Sequence, residues 1–141
     1  MENRIILLVE DNPDDRELIL RAFRKHTIGN PVVVAKDGAE ALDLLMGPKA
    51  YDPAAIGFVL LDLKLPKVDG LEVLRRLRAN ERTKLIPVVI LTSSKEDKDL
   101  IEGYRLGTNS YVQKPIDFNQ FSEAVRQVGL YWLIVNVPPP S

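Results

Sequence analysis

The stretch Ile5-Ile6-Leu7-Leu8-Val9-Glu10-Asp11-Asn12-Pro13-Asp14-Asp15 decides how the rest of the chain is read. Its five leading apolar residues show no polar alternation, the mark of a strand buried on both faces, as in a parallel sheet. The strand stops on two carboxylates. Asn12 then suits a helix N-cap, Pro13 the first helical position, and Asp14 and Asp15 the positive end of the helix dipole. Leu18, Ile19, Ala22 and Phe23 supply that helix with one apolar face.

The same alternation runs on. Val32–Ala35, Phe58–Leu61, Val88–Leu91 and Tyr111–Val112 read as four further strands. Between and after them lie helical periods. One covers about Gly38–Met46, with Ala41, Leu42 and Leu45 inward. The next starts at Asp69 and sets Leu71, Val73, Leu74 and Leu77 against Arg75, Arg76 and Arg78. A fourth covers about Glu96–Leu106 and a fifth about Asp117–Trp132. The fourth is weak, with few apolar residues and an internal Gly103, which costs about 1 kcal/mol relative to Ala. Gly47–Gly57, with Pro48 and Pro53, reads as a surface loop. The pattern predicts an α/β domain, a parallel sheet with helices on both faces, that uses nearly the whole chain and leaves no room for a second output domain.

Composition narrows the function. The chain has 141 residues, 45% apolar and 28% charged, enough for one core without staples. Nineteen basic against twenty acidic residues argue against nucleic acid as the main partner. The absence of cysteine excludes disulfides and thiol chemistry and points to a reducing cytoplasm. No secretory signal opens the chain and no apolar run is long enough to cross a bilayer, so no membrane partner is expected.

Ligands of open α/β sheets bind outside the carboxyl ends of the strands. There the first strand offers Glu10 and Asp11, the third Asp62, the fourth Thr92 and Ser93, and Lys114-Pro115 follows the fifth. Three carboxylates on one edge repel, and a hard divalent cation relieves them. Mg²⁺ takes oxygen ligands and needs few carboxylates, whereas a softer metal finds no Cys and a single His. A cation, a carboxylate, a hydroxyl and a lysine suit a phosphoryl group: Thr92 can hydrogen-bond it, Lys114 can neutralise it, and a carboxylate can attack phosphorus in line. Each feature alone also has a structural reading as a cap, a loop or a satisfied backbone group; together, in this order, they read as a site.

The motifs Leu8-Val9-Glu10-Asp11-Asn12, Leu61-Asp62-Leu63-Lys64-Leu65-Pro66 with Asp69-Gly70, Leu91-Thr92-Ser93 and Tyr111-Val112-Gln113-Lys114-Pro115 resemble those of the receiver domain of bacterial two-component response regulators. The likeness runs from Ile5 to about Val128. It implies a flavodoxin-like five-stranded sheet of order 2-1-3-4-5. The chain reads as a single receiver domain over 1–141, with an apolar C-terminal extension over 130–141. Asp62 would be the phospho-acceptor, and Glu10, Asp11, Asp62 and the backbone carbonyl of Lys64 would hold Mg²⁺. Thr92 and Lys114 would bind the phosphoryl group. Thr92 and Tyr111 would form the switch, and the Lys114–Pro115 bond would be cis. The donor would be a phosphohistidine on a sensor histidine kinase. The chain would be a signalling module rather than an enzyme, promoting its own phosphorylation and dephosphorylation. Lys64 and Ser94 occupy places that tune phosphoryl lifetime in the family. Val68 stands where the family normally shows Met.

Phe118, Phe121, Val125, Val128 and Trp132 recur at steps of three and four, a helical seam. Beyond Leu130 the chain stays apolar at Tyr131, Leu133, Ile134 and Val137, more than one sheet face buries. This surplus predicts a homodimer through the face of the fourth helix, fifth strand and fifth helix together with the extension; the alternative is a tail folded over the sheet edge. The extension and the missing output domain resemble the single-domain regulators that partner bacterial phytochromes, so the kinase would be a phytochrome. His26 reads as a solvated side chain near a helix end, the Arg75, Arg76 and Arg78 cluster as a solvated face, and Asp69-Gly70 as a helix entry.

Two other functions stay open. A Mg²⁺-dependent phosphohydrolase could use Asp62 as nucleophile, but such enzymes carry a second Asp two residues on, where Lys64 stands, and no substrate cap is evident. A pseudo-receiver would bind partners without phosphorylation, yet every expected site residue is present.

Overall fold

A computed structural model describes residues 4–25, 29–92, 104–107, 110–113, 118–119, 122–123 and 126–127, with the side chains of 92 and 110–113 outside that description. The element order is β1 (Ile5–Val9), α1 (Pro13–Lys25), β2 (Val32–Ala35), α2 (Gly38–Met46), a 3₁₀ turn at Pro53–Ala55, β3 (Ile56–Asp62), α3 (Gly70–Ala79), β4 (Val88–Thr92) and β5 (Ser110–Gln113). All pairings are parallel and the strand order is β2-β1-β3-β4-β5, the expected flavodoxin-like order.

β3 starts earlier than its apolar run predicts, at Ile56 rather than Phe58. Asp52 caps the 3₁₀ turn through the Ala54 N–H, and the turn hands the chain directly to Ile56, so Gly57 lies in the strand instead of the loop. Asp69 is the N-cap of α3 rather than its first residue.

The continuous apolar runs are explained by two cores, one on each sheet face. Leu7, Val9, Val59, Leu61, Val88 and Ile90 pack with Ala41 and Leu45 of α2 and Val73, Leu74 and Leu77 of α3. Ile6, Leu8, Phe58, Leu60, Val89 and Leu91 face the other way, onto Ile19, Ala22 and Phe23 of α1. Successive strand residues alternate faces, and here both faces are covered. All seven residues of β3 are buried. Truncating the fully buried Phe58 to Ala removes about 3–5 kcal/mol.

Contrary to the solvated face expected for Arg75, Arg76 and Arg78, the three arginines part company. Arg75 and Arg76 are exposed and pair with Glu72, Arg76 at 2.9 Å. Arg78 turns back instead. Its Nη1 donates to the carbonyls of Lys84 (3.0 Å) and Ile86 (2.8 Å), and its Nη2 and Nε donate to that of Gly107 (2.9 and 3.2 Å). Burial pushes its pKa below the usual guanidinium value. A helical period cannot distinguish an arginine in water from one that finds carbonyls off its own helix.

Of the fourth expected helix, Tyr104 and Arg105 are described and are helical; of the fifth, residues 118–119, 122–123 and 126–127 are. His26, Ser93, Ser94, Gly103, Lys114, Pro115, Phe121, Val125, Val128, Trp132 and the extension 130–141 lie outside the described residues. Among the described residues no helix is long and apolar enough to cross a membrane.

Candidate functional site

The sheet register assembles the site. Val9 pairs with Leu61 and Asp62 with Leu91, so the acidic residues after β1 and at the end of β3 arrive on one edge. Glu10, Asp11 and Asp62 each offer a carboxylate oxygen, and these oxygens lie within 4.8 Å of one another. Glu10 is fully buried, Asp62 is 5% exposed, and Asp11 is open to solvent.

Backbone donors hold two of these side chains. Asn12 N–H donates to Glu10 Oε2 at 3.2 Å, and Lys64 N–H to Asp62 Oδ1 at 3.1 Å. Asn12 caps α1 as its sequence position suggests, accepting from the N–H groups of Asp14 (2.8 Å) and Asp15 (3.1 Å). Two unit charges at such a separation repel by about 3 kcal/mol at an effective dielectric constant near 20. Burying carboxylates adds a desolvation cost that pairing or a metal offsets. The donor set is all oxygen, two of its members are buried, and the exposed Asp11 leaves one side open. It fits a hard divalent ion that keeps some of its water.

A cleft of about 450 Å³ adjoins this cluster, lined by Asp11, Leu63, Lys64, Leu65, Pro66, Asp69 and Leu71. Its wall is the loop from β3 to α3. Gly70 N–H donates to Leu63 O (2.8 Å) and Val68 N–H to Pro66 O (2.8 Å). The loop packs on glycines: a Cβ on Gly38 would stand 1.7 Å from Val68 O, and one on Gly70 2.2 Å from Asp62 O. Lys67 has a left-handed φ of 67°, and its Nζ lies 3.5 Å from Asp37 Oδ2. Asp37 Oδ1 in turn caps α2 by accepting from Glu40 N–H at 2.8 Å.

Of the predicted site residues, Glu10, Asp11 and Asp62 are brought together, and Lys64 sits on the cleft with its N–H on Asp62. Backbone pairing sets Thr92 beside Gln113, the residue before Lys114, and Tyr111 beside Ile90. Of the predicted dimer seam, only Phe118 is described. Its ring lies 4.8 Å from the Arg21 guanidinium and 5.7 Å from Lys25 Nζ, so it faces α1 of the same chain.

Sequence reasoning missed Arg16, whose Nη1 donates to the carbonyls of Glu10 (3.0 Å) and Asp11 (3.1 Å). It also missed the support beneath the Asp62 loop. A signal was present: Asp37-Gly38-Ala39-Glu40 and Asp69-Gly70-Leu71-Glu72 share one pattern. In each, Asp caps the helix through the Glu N–H and Gly admits the loop backbone.

The model of the response regulator receiver domain matches residues 6–126. This chain belongs to that family. The receiver is 43% identical over 135 residues to the probable methanogenesis regulatory protein FilR2 of Methanothrix harundinacea, covering 96% of this chain and 87% of that protein. It is 35% identical over 131 residues to the response regulator Rcp1 of Synechocystis, covering 92% and 89%. Among solved structures, the phosphorylated cyanobacterial phytochrome response regulator RcpA superposes with a TM-score of 0.88 at 34% identity, over 98% of this chain and 99% of that one. The Mn²⁺-bound form of Rcp1 gives 0.85 at 33% identity, over 97% and 99%. The bacteriophytochrome response regulator AtBRR is 49% identical, with a TM-score of 0.72 over 97% and 100%. The chain is thus a response regulator receiver of two-component signalling, homologous to Rcp1 and RcpA over nearly their whole lengths. That Rcp1 structure holds a divalent metal, Mn²⁺.

Proposed function

We propose that this receiver accepts a phosphoryl group onto Asp62 from the phosphohistidine of a sensor histidine kinase, and that the phosphorylated form signals through protein contacts. The observation that carries this reading is the cluster of Glu10, Asp11 and Asp62 within 4.8 Å, with Asp62 nearly buried at a strand end. Mg²⁺ would be held by Glu10, Asp11, Asp62 and the Lys64 carbonyl. When bound, it would draw charge off the phosphoryl oxygens and cancel the carboxylate repulsion.

The chain's own residues do the rest. Lys64 N–H fixes the Asp62 carboxylate through Oδ1. An Asp62 oxygen forms the new bond to phosphorus in line as the P–N bond of the donor breaks, and its electron pair leaves with the imidazole. Thr92 and Lys114 bind the phosphoryl oxygens. Thr92 moves toward them and Tyr111 turns into the space behind, with Lys114–Pro115 in the cis form. Lys64 stands beside the acceptor and sets how water reaches the acyl phosphate.

RcpA and AtBRR are described as phytochrome response regulators, which supports a phytochrome as the kinase. We place the protein in the cytoplasm as a single receiver domain over 1–141, without nucleic acid or membrane as partner. It acts as a signalling module rather than an enzyme. It forms a homodimer through the fourth helix, β5, the fifth helix and the 130–141 extension.

The test is intact mass after incubation with a small-molecule phosphodonor and Mg²⁺, beside Asp62→Asn. One phosphate added to the parent, and none to the variant or without Mg²⁺, is the expected result. Donor consumed without an adduct would favour the phosphohydrolase. Donor untouched would favour the pseudo-receiver.

A further inference from the structure

We infer that Arg16 is a positioning residue of the metal site: it pins the peptide carbonyls of Glu10 and Asp11 and so holds both carboxylates turned toward Asp62. The inference rests on reading the acidic cluster as a divalent-cation site.

Only Glu10, Asp11 and Asn12 separate β1 from α1, so the chain must turn within them. Backbone groups along these three residues are held in turn. Glu10 N–H donates to Ala35 O (3.0 Å), the last bond to the strand beside it. Asn12 N–H donates to the Glu10 carboxylate, and Arg16 N–H donates to Asn12 O (3.0 Å), starting the helix. The carbonyls of Glu10 and Asp11 come next, and both are received by one nitrogen, Arg16 Nη1, at 3.0 and 3.1 Å. Successive carbonyls of an extended chain point in opposite directions. Their convergence on one donor therefore fixes both peptide planes, and with them the directions in which the two side chains leave the backbone.

Arg16 can do this because long helical side chains lean back over the preceding turn. Its guanidinium brings a charge as well as donors. A second consequence of a cation here would be repulsion of a bound metal. Arg16 is only half-buried, and solvent weakens that repulsion, whereas groups that orient metal ligands commonly control affinity ten- to hundred-fold. Orientation should therefore win.

The experiment measures Mn²⁺ affinity by calorimetry for the parent, Arg16→Met, Arg16→Lys and Asp11→Asn, with the metal-free thermal midpoint of each. Arg16→Met is expected to bind Mn²⁺ roughly ten- to hundred-fold more weakly. Arg16→Lys should recover most of the affinity, because a single ammonium can donate to both carbonyls as Nη1 does. A purely structural role would lower the midpoint without this split between the two variants. If the methionine variant does not fold, Arg16→Gln, too short to reach the two carbonyls, takes its place. Parent-like or tighter binding by Arg16→Met, or a lysine variant as weak as the methionine one, overturns the inference. Loss of binding in Asp11→Asn alone would overturn it while sparing the metal site. A parent that does not bind Mn²⁺ would overturn both.

Discussion

Arg78 donates two hydrogen bonds to the carbonyl of Gly107, from Nη2 at 2.9 Å and from Nε at 3.2 Å, across 29 residues of sequence. Gly107 has a φ of +77°, and a Cβ there would stand 3.3 Å from Arg78 Nε. With Nη1 on Lys84 O and Ile86 O, one side chain ties the end of α3, the turn into β4 and the segment 104–107 ahead of β5. That segment leads to Tyr111, the expected switch residue.

Arg78→Ala should therefore cost on the order of 2–3 kcal/mol, because hydrogen bonds from a charged donor are the strong ones and the Ile86 carbonyl left behind is partly buried. Arg78→Lys should recover less than half, since an ammonium lacks the planar fork that reaches three carbonyls. Gly107→Ala should cost about 1–2 kcal/mol from its left-handed backbone. The double variant should fall short of the sum, because both changes break the same contact. Urea unfolding measures all four; strict additivity would show that the two residues act separately.

Acid should loosen the molecule through specific carboxylates. The Glu40 N–H foremost, with Lys67 adding to it, holds Asp37 below its ordinary value, and Arg76 and Arg75 do the same for Glu72. A depressed folded pKa means stability that is present above the unfolded values of 3.8 and 4.5 and is lost as pH falls through the folded ones. Asp37→Asn keeps the cap and loses the charge. It should unfold at lower urea than the parent at neutral pH and match it at the acid end. A gap that stays constant with pH would remove Asp37 from this account.

Glycine-to-alanine changes should split by location. In a helix Ala is ordinarily the better residue by roughly 0.5–1 kcal/mol. At Gly38 and Gly70 the sign should reverse, with losses of about 1–3 kcal/mol and weaker Mn²⁺ binding, since the new methyl would push on the loop that follows Asp62. Gly29, with nothing within 4 Å of its would-be Cβ, is the neutral control. Unchanged metal affinity in Gly38→Ala would mean that the loop yields without moving the site.

Metal and charge should substitute for one another. Without metal, Asp62→Asn should be more stable than the parent, by about 1 kcal/mol or more, because it removes one of three mutually repelling carboxylates. Saturating Mg²⁺ should reverse the order: the parent gains about 2.7 kcal/mol at a hundredfold excess over the dissociation constant, and the variant gains little. Thermal unfolding with and without Mg²⁺ checks both arms. Equal stabilisation of the two proteins would place the ion elsewhere.

Much of this was legible in residue order alone. Unbroken apolar runs such as Ile5–Val9 announce strands covered on both faces, because an exposed face would need polar alternation. Strand ends are then the edge where ligands bind, so Glu10, Asp11 and Asp62 could be assigned to one site before any distance was known. The fates of Arg16, Arg78, Gly38 and Lys67 were decided only by the tertiary structure. A long cationic side chain on a helix has the same periodicity whether it ends in water or on carbonyls that another part of the chain brings near. A glycine reads as a turn until a loop backbone is seen lying where its Cβ would be. Local pattern determines which segments are buried and where the charges collect; the satisfaction of backbone carbonyls and the close approach of distant loops depend on contacts that exist only once the chain is folded.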